Sequence, residues 1–413
     1  MQTHYDVIVI GGGASGMMAS IFAGRNGNSC LVLDHNEKLG KKLFITGKGK
    51  CNLTNNSSIE NHLNNIINNS KFMYSSLNSF SPSDTIDFFI ENGLTVRTER
   101  GNRVFPQSDK SSDVIKTLTK AMTRYGVAVS LNEEIKSVTK QDNVFHILCD
   151  NKKEYTCYSL IVATGGLSYP GTGASGLGYQ IAKSFNHKIV EPKSALCPII
   201  VKENISELNG LSLRNVQLTY VLGKKTYSEF GDLLFTFNSL TGPIALSLSS
   251  RINRVDLTKA KLYLDLKPAL SEQKLEEKFL REFVEFAKTD FRNYLHTLLP
   301  QSFIEYFMKQ TKLKNKKMSE FTKENRFELI KHLKRFEFQP TSLENINVGI
   351  VTSGGVDVKD INTKTCMSKL VDNLYFVGEV LDVDALTGGF NLQIAWSTGY
   401  VAGNSIRKYY ISS

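Results

Sequence analysis

The sequence predicts an α/β protein organised around a parallel β-sheet. Apolar, β-branched runs at residues 5–10, 30–33 and 159–166 have the character of strands buried on both faces. A helical pattern at residues 14–25 follows the first run, and Gly27 marks its end. Glycine-rich α/β character returns after about residue 345. Strands that alternate with helices are typical of parallel sheets. Because both chain ends have this α/β character, they are expected to build one domain.

The chain is expected to divide into several domains, since 413 residues exceed one ordinary core. Hydrophobic residues make up 41% and charged residues 22%, which excludes disordered and fibrous classes. Residues up to about 270 alternate as antiparallel strands do, and the residues from 271 to about 338 are charged and helical. We therefore expect the α/β domain at residues 1–190 and 345–413, an inserted β domain at 191–270 and an inserted helical subdomain at 271–344.

Further elements are expected in the first half of the chain. Helical patterns cover residues 83–92 and 111–125, and a strand should follow at 126–131. Residues 137–147 with 154–158 have the pattern of a small antiparallel meander. Residues 52–70 are rich in Asn and are interpreted as a surface excursion.

The net charge of +10 is compatible with an anionic partner, but the basic residues are spread along the whole chain. One local cluster comprises Lys309, Lys312, Lys314, Lys316 and Lys317. A solvated helix end explains this cluster better than an RNA-binding patch does, because no aromatic residues are interleaved with it. We expect a small-molecule substrate rather than a nucleic acid, and the oligomeric state stays open.

Membrane, secretory and metal-binding classes are not indicated. Residues 7–24 are uncharged, but three consecutive glycines interrupt this run. The six cysteines form no CxxC pair and no disulfide framework, and no metal-ligand spacing is present. These features predict a reduced, cytoplasmic protein with no membrane partner and no metal.

The strongest local motif is Gly11-x-Gly13-x-x-Gly16, between a buried strand and a helix. In this pattern the first glycine permits a tight turn, the second lets a pyrophosphate approach the backbone, and the third allows close helix packing. The helix N-terminus offers free N–H groups to phosphates. Asp34 ends the next strand, where a carboxylate can accept hydrogen bonds from a ribose diol. These residues predict a dinucleotide site.

The other chain end favours FAD over NAD as that dinucleotide. Residues 373–379 predict a strand that ends in Gly378-Glu379, and an acid there suits the ribityl or ribose hydroxyls of an extended FAD. Gly388 and Gly389 then open an uncharged helix that runs to about Ser405. The N-terminus of such a helix, aimed at the flavin N1–C2=O edge, would stabilise the reduced flavin. A simple loop-to-helix entry is the alternative explanation of these glycines.

Two further glycine-containing segments are weighed separately. The basic loop at residues 40–54 is expected to run along the cofactor, with a solvated loop as the alternative, and Cys51 in it is expected to be a structural thiol. A second string, Gly171-x-Gly173-x-x-Gly176, follows no buried strand and has no acid at the required distance. We do not expect a second dinucleotide fold, so NAD(P)H would approach the flavin only transiently.

Six longer motifs extend these local signals over nearly the whole chain. They read GGGASG, GKKLFITGKGKCNLTN, GNRVFP, VATGGLSYPGTGASGLGY, TSGGV and LYFVGEVLDVDALTGGFNLQIAWSTG. With them the chain resembles the BaiN-like group of bacterial NAD(P)/FAD-dependent oxidoreductases, whose members include an unsaturated bile-acid reductase and an aminoacetone oxidase. The resemblance implies a glutathione-reductase-like, Rossmann-like FAD domain with an antiparallel β-barrel-like insert and a small helical insert.

The same resemblance implies a set of FAD-binding residues. It assigns the pyrophosphate to Gly11, Gly13, Ala14, Ser15 and Gly16, the adenosine ribose to Asp34, the adenine to the backbone near Ile135, a second pyrophosphate contact to Ala163, Thr164 and Gly165, the lining of the cofactor to Lys42, Thr46, Gly47 and Asn52, and the ribityl and isoalloxazine to Gly378, Glu379, Asn391 and Leu392.

No catalytic residue is identified with certainty from the sequence. Tyr169, Arg103 and Thr387 are candidates to line the substrate pocket, whereas Asp382 and Asp384 are expected to lie in a solvated turn. Hydride passes through flavin N5, so the first hypothesis is an NAD(P)H-dependent reductase of a small enone-like substrate. An FAD-dependent amine oxidase that uses dioxygen and an RNA-associated or structural flavoprotein are the alternatives.

Overall fold

Residues 3–311 and 313–408 are described by the computed structural model, in which the chain forms two units. Residues 1–194 and 346–413 make up the first unit, and residues 195–345 make up the second. Both chain ends therefore share one unit. The predicted α/β fold class is confirmed, while the finer division of the insert into a β domain and a helical subdomain stays a prediction.

The first unit is built on a seven-stranded sheet whose central part is parallel. Strand His4–Ile10 pairs in parallel with Cys30–Asp34 on one side and with Glu154–Val162 on the other. Ala128–Leu131 extends the sheet beyond Cys30–Asp34, and the C-terminal strand Leu374–Phe376 joins Glu154–Val162 in parallel. Because the carboxyl ends of parallel strands meet at one edge, the segments after these strands converge there.

One strand replaces two predicted elements. Glu154–Val162 was expected to be divided between a meander and a separate buried strand, and this expectation is wrong. Its first half pairs antiparallel with Val144–Cys149, which pairs in turn with Ile135–Gln141. Its second half pairs in parallel with the C-terminal strand. The change of partner along one continuous strand produced the two sequence patterns.

The remaining elements of the first unit follow in chain order. Its helices are Ala14–Arg25, Lys41–Ile45, Ile59–Asn65, Met73–Ser79, Pro82–Glu91, Ser111–Arg124, Leu177–Ser184 and Phe390–Ser405, and its further strands are Thr54–Asn55, Val96–Glu99, Arg103–Pro106, Ile189–Ala195 and Val351–Val356. The helices predicted at 83–92 and 111–125 are thus confirmed to within one residue at each end.

The interpretation of residues 52–70 as a surface excursion is wrong. Thr54, Asn55 and His62 are buried within this polar stretch. The Thr54 hydroxyl donates to Gln393 Oε1 at 2.6 Å, and His62 Nε2 donates to the Asn55 carbonyl at 2.8 Å. Polar side chains can be buried when they find hydrogen-bond partners, and the sequence pattern does not reveal those partners.

Two helices join the chain ends. In helix Phe390–Ser405, a Cβ at Gly399 would lie 2.5 Å from the Ser15 carbonyl, and one at Gly403 would lie 2.1 Å from the Ala19 carbonyl. Only glycine permits this approach to helix Ala14–Arg25. The first glycine-loop helix and the last helix of the chain are therefore packed backbone to backbone.

The second unit combines an antiparallel sheet with helices over one hydrophobic core. The strands are Ile199–Val201, Ser212–Leu222, Lys225–Phe235, Ser239–Thr241, Lys261–Asp265, Phe336–Phe338 and Pro340–Leu343, and the helices are Pro243–Ile252, Glu272–Glu285, Phe291–Leu295, Gln301–Thr311 and Lys323–Lys334. Helix Pro243–Ile252 falls in a region predicted as strands. Its apolar residues alternate like those of a strand, but Gly242 and the proline at its first position start a helix.

The lysine cluster lies at the end of helix Gln301–Thr311 and in the segment after it. Lys309 pairs with Glu207 at 2.8 Å, and Lys317 pairs with Asp290 at 3.0 Å. Lys312 lies outside the described residues. Within the described ranges, none of the helices has the length and apolarity that a membrane crossing requires.

Candidate functional site

The glycine loop follows strand His4–Ile10, and its three glycines meet three different demands. Gly11 has φ +104°, and a Cβ there would lie 2.5 Å from the Ala163 carbonyl. A Cβ at Gly16 would lie 1.9 Å from the Gly11 carbonyl. Gly13 has extended backbone with φ −82°, and no atom lies within 4 Å of its Cβ position. Gly11 and Gly16 are therefore required by packing, whereas the space beside Gly13 is open to a ligand.

Helix Ala14–Arg25 begins directly at this open space. Gly13 is its N-cap and provides no side-chain cap, so the first N–H groups of the helix are available to an anion. Ala14 is half-buried, and Ser15 is buried with its hydroxyl 3.4 Å from the Val377 carbonyl. The loop is thus anchored to the C-terminal strand while its helix end stays free.

Asp34 lies at the end of strand Cys30–Asp34 and holds the glycine loop through a hydrogen bond to its backbone. Its Oδ2 accepts from the Gly12 N–H at 2.7 Å, and its Oδ1 accepts from Asn36 N and Nδ2 at 2.8 and 2.9 Å. A carboxylate has about four acceptor positions, so a ribose hydroxyl could still bind to it. Ile135, the predicted adenine neighbour, follows Glu133, whose N–H donates to the Asp34 carbonyl at 3.0 Å.

A buried carboxylate supports this adenosine side. Glu133 is 1% exposed and pairs with Lys153 at 2.5 Å. Ser130, Asn151 and Tyr155 donate to the same carboxylate. Burial by itself would raise the pKa of Glu133, but the ion pair and the three hydrogen bonds lower it to about 2.

A polar network connects side chains from four separate segments of the first unit, at Lys42, Ser168, Thr352 and Glu379. Lys42 Nζ donates to both oxygens of Glu379 at 2.9 and 2.7 Å and to Ser168 Oγ at 2.7 Å. The Thr352 N–H donates to Glu379 at 2.9 Å, and the Thr352 hydroxyl accepts from the N–H groups of Leu167 and Ser168. Glu379 and Lys42 were predicted site residues, whereas Ser168 and Thr352 were missed. Both lie in motifs that the resemblance quoted, and this was the available signal.

Two buried polar atoms in the predicted cofactor-binding segments have no hydrogen-bond partner in the described part of the chain. Among the described residues, no hydrogen-bond partner is present for Asn52 Oδ1 or for Thr164 Oγ1. Thr164 follows Ala163, which bonds to strand His4–Ile10, and precedes Gly165, which has φ +72°. Buried polar groups are normally paired, so Asn52 Oδ1 fits a site that a polar cofactor completes. Thr164 Oγ1 instead lies against Gly178, where a Cβ would be 2.1 Å from it.

The basic loop at residues 40–54 is strongly bent. The Thr46 hydroxyl donates to the Leu43 carbonyl at 2.7 Å, and Gly47 and Lys48 both have left-handed backbone. Cys51 is fully buried, and burial raises the pKa of its thiol to about 12. A buried thiol with a raised pKa is a poor nucleophile, which agrees with the structural role expected for Cys51.

The entry to helix Phe390–Ser405 is held by Asn391. Its amide donates to the Ala385 carbonyl at 2.8 Å and accepts from the Ala385 N–H at 2.9 Å. Leu392 is half-buried and packs on the hydrophobic core. Asn391 therefore acts on the protein backbone, and it fixes the turn at residues 385–389.

The pocket candidates have different environments. Tyr169 is half-buried with left-handed backbone, φ 56°. Thr387 is exposed, and Arg103 is largely exposed beside Phe105 and Glu99. The expectation of a solvated turn at Asp382 and Asp384 is wrong, because both are buried.

Asparagines explain why the two aspartates are buried. Asn68 donates to Asp384 at 2.6 Å, and Asn69 donates to Asp382 at 2.9 Å. The Asn-rich stretch therefore supplies donors to buried carboxylates.

The segments of the first unit fit an extended dinucleotide such as FAD. The open space at Gly13, the free helix N-terminus, the acid at Asp34 and the unpaired acceptor Asn52 Oδ1 lie on N-terminal segments. Glu379, which accepts from Lys42, comes from the other chain end. The second glycine string differs, because it begins within the short 3₁₀ helix Pro170–Thr172 instead of directly after a strand.

Comparisons with known proteins identify the family of the chain. The model of the HI0933-like protein Rossmann domain matches residues 5–405, so the chain belongs to this family. A ribosomal RNA dihydrouridine synthase of Haemophilus influenzae is 32% identical over 99% of this chain and 100% of its own length. A 3-dehydro-bile acid delta(4,6)-reductase of Clostridium scindens is 26% identical over 96% of this chain and 98% of its own.

A solved structure supports the fold alone. The 3-ketosteroid delta1-dehydrogenase of Sterolibacterium denitrificans has a TM-score of 0.54 at 14% identity and covers 98% of this chain and 99% of its own. By its family the chain is an FAD-dependent oxidoreductase with a Rossmann-like FAD-binding domain.

Proposed function

Starting from that family membership, we propose that the chain is a reductase that saturates a carbon–carbon double bond conjugated with a carbonyl group. NAD(P)H would be the hydride source, and bound FAD would supply two-electron hydride chemistry between it and the substrate. One observation carries this proposal: two relatives with very different substrates are named for the same chemistry. Reduction of a 3-dehydro bile acid at delta(4,6) and formation of dihydrouridine both add hydrogen to a conjugated double bond.

Residues from both chain ends would hold the cofactor. The free N–H groups at the start of helix Ala14–Arg25 and the open space at Gly13 suit the pyrophosphate. Asp34 suits the adenosine ribose, and Asn52 Oδ1 suits a donor on the cofactor. Glu379, held by Lys42, suits the ribityl chain. When bound, FAD supplies reversible two-electron hydride chemistry.

The net reaction requires one hydride and one proton. The hydride comes from NAD(P)H, which becomes NAD(P)⁺, and it is added to the carbon β to the carbonyl. A proton is added to the α carbon, so the double bond becomes a single bond and two C–H bonds form. Tyr169 is the proposed proton donor, because its side chain is half-buried and its left-handed backbone sets it in a fixed turn after Ser168.

A uracil ring within RNA is a second candidate substrate. Its C5–C6 double bond is conjugated with the C4 carbonyl, so the same chemistry would apply. The name of the Haemophilus influenzae relative and the net charge of +10 favour this candidate. The exposed side chains of Phe44 and Lys48 in the basic loop offer a stacking surface and a cation for a polynucleotide.

Anaerobic spectroscopy tests the reaction. We expect the flavin absorbance of the purified protein to bleach when NADH or NADPH is added, and to return when an enone or a uridine-containing RNA oligonucleotide is supplied. Recovery with the enone alone favours the small substrate, and recovery with the RNA alone favours uracil. Flavin that is bleached by an amine but not by NAD(P)H would contradict the proposal in favour of an oxidase.

The proton donor is tested by a matched pair of tyrosine variants. Tyr169→Phe should slow reoxidation by the substrate about 100-fold, while bleaching by NAD(P)H keeps its rate, since general acids contribute roughly 10²–10⁴-fold. Tyr74→Phe is the control, because Tyr74 is 61% exposed in helix Met73–Ser79. Equal reoxidation rates in the two variants would remove Tyr169 from the mechanism.

A further inference from the structure

The turn before helix Phe390–Ser405 needs external support. Gly388 has φ +127° and Gly389 has φ +98°, so two consecutive residues adopt backbone that only glycine enters easily. A Cβ at Gly389 would lie 2.4 Å from the Thr54 carbonyl carbon, which shows how tightly the turn is packed on strand Thr54–Asn55. Glycines lose much conformational entropy when they are fixed, so neighbouring groups must hold this turn.

Asn55 provides one of these supports. It is 4% exposed, and its Nδ2 donates to two carbonyl groups, those of Gly388 and Gly101, each at 3.0 Å. The first carbonyl belongs to the glycine turn, and the second belongs to the turn between strands Val96–Glu99 and Arg103–Pro106. One amide group therefore ties two separate turns together.

The amide oxygen of Asn55 is the unusual part. Oδ1 is buried and has no hydrogen-bond partner among the described residues. The opposite orientation of the amide would direct an oxygen at two carbonyl oxygens, so the hydrogen bonds fix the assignment. A buried, unpaired acceptor beside the glycine turn is the kind of group that a donor on a ligand satisfies.

His62 provides the second support. Its ring is 1% exposed, and Nε2 lies 2.8 Å from the Asn55 carbonyl, which can only accept, so Nε2 carries a proton. The edge of the ring meets Phe390 with centroids 4.9 Å apart and planes at 79°. His62 thus contacts both Asn55 and the first residue of helix Phe390–Ser405.

We infer that Asn55 and His62 are positioning residues that fix the Gly388–Gly389 turn, and with it the N-terminus of helix Phe390–Ser405, against the ring end of the bound FAD. We call this pair the Asn55–His62 clamp. The inference rests on the proposed function only in that FAD binds to this unit with its ring at this helix. It concerns no substrate, so it can be tested without turnover.

Substitutions of Asn55 separate repulsion from simple loss. Asn55→Asp replaces the donating NH₂ by an oxygen that faces two carbonyl oxygens, whereas Asn55→Ala only removes the support. We expect Asn55→Asp to weaken FAD binding more than tenfold and Asn55→Ala to weaken it severalfold, because an unmatched buried polar group is more costly than a missing hydrogen bond. Asn78→Asp, on an exposed site in helix Met73–Ser79, is the charge-matched control.

Substitutions of His62 keep the test valid if the aspartate variant does not fold. Gln at position 62 retains a side-chain N–H donor, whereas Phe retains the ring and loses the donor. We expect His62→Gln to preserve FAD affinity within about twofold and His62→Phe to reduce it severalfold. Rescue by the conservative variant would identify the N–H as the important feature.

The reduction potential of the bound flavin is the second readout. Because a helix N-terminus stabilises negative charge, displacement of the turn should lower the potential in Asn55→Ala and in His62→Phe and leave it unchanged in Asn78→Asp. Unchanged affinity and potential together with a lower unfolding temperature of the cofactor-free protein would overturn the clamp. Failure of the wild-type protein to reduce an enone would instead contradict the proposed function and leave both readouts intact.

Discussion

Two stretches of this chain have the same glycine spacing, residues 11–16 and residues 171–176, and they differ in what precedes them. The first follows the central strand His4–Ile10, and its Gly11 N–H bonds to the neighbouring strand at Leu33. The second begins within the 3₁₀ helix Pro170–Thr172. A helix follows each stretch, so the helix alone does not distinguish them.

The two stretches differ in the space beside the middle glycine. At the middle position, the Cβ site of Gly13 is empty within 4 Å, whereas a Cβ at Gly173 would lie 2.5 Å from Asn36 Nδ2 and 2.6 Å from His35 Cε1. The first stretch leaves space where a phosphate would approach, and the second fills that space with protein. The second stretch also accepts a hydrogen bond from Asn36 at the Thr172 carbonyl, 3.2 Å away. It therefore packs against residues next to Asp34.

The largest effect is expected at the last glycine of each stretch. Gly16→Ala sets a Cβ 1.9 Å from a backbone oxygen, so we expect loss of about 4 kcal/mol or more and little folded protein. Gly176→Ala meets its nearest atom at 3.1 Å, in the flexible side chain of Leu167, and should lose about 1–2 kcal/mol through its positive φ. Denaturant unfolding of both variants measures the difference, and equal losses would contradict the comparison.

The middle position should separate binding from folding. Gly13→Asp can adopt the wild-type backbone, so the protein should fold with nearly wild-type stability and lose at least 100-fold in FAD affinity through blockage and charge repulsion. Fluorescence titration with FAD and thermal unfolding without FAD measure the two quantities. A Gly13→Asp protein that purifies with stoichiometric FAD would exclude the glycine loop as the pyrophosphate site.

The opposite result is expected for Gly173→Ala. Its Cβ would collide with the ends of the Asn36 and His35 side chains at φ +108°, and the loss of stability should be about 1–3 kcal/mol. FAD affinity should change only severalfold, since Asp34 keeps its bond to Gly12. The neighbouring variant Gly171→Ala is the control, because Gly171 has open space and no positive φ. Loss of FAD without loss of stability would assign the second stretch a direct role in binding.

The smallest expected effect is the pH dependence of the unfolding free energy, which also distinguishes the two stretches. The second stretch has no ionisable side chain, whereas the region beside Asp34 depends on Glu133, whose pKa falls from 4.5 to about 2 on folding. The stabilisation by the Glu133 carboxylate is present above pH 4.5 and is lost as the pH falls toward 2. Glu133→Gln should therefore lower the unfolding free energy by about 1–3 kcal/mol at pH 7, and by progressively less below pH 4.5. A pH-independent difference would mean that the carboxylate charge contributes nothing.

Much of the fold could be predicted from local patterns. Helix Ala14–Arg25 and the C-terminal helix Phe390–Ser405 have the predicted bounds, and strand Cys30–Asp34 ends at the predicted acid. These elements are buried, so apolar runs and glycine signals define them. Helix Pro243–Ile252 was missed because its alternating apolar residues imitate a strand.

The candidate site could be proposed from the sequence where one motif has a clear physical purpose. Gly13 and Asp34 belong to a motif whose spacing has a known physical purpose. Ser168 and Thr352 were missed because each depends on Glu379, which is distant in the chain. The prediction that Asp382 is solvated was wrong because its partner Asn69 lies 313 residues away, where no local pattern reveals it.

The sequence alone predicted the central strands, the first and last helices and a dinucleotide site that begins at Gly11, because backbone conformation and burial leave short-range patterns. The tertiary structure decided which polar residues are buried, which of two equal glycine strings leaves open space, and which side chains support the turn at Gly388. Those outcomes depend on contacts between segments hundreds of residues apart, such as Asn55 with Gly388. A hydrogen-bond partner or a filled space is a property of the packed chain, and neither has a signature in the local sequence.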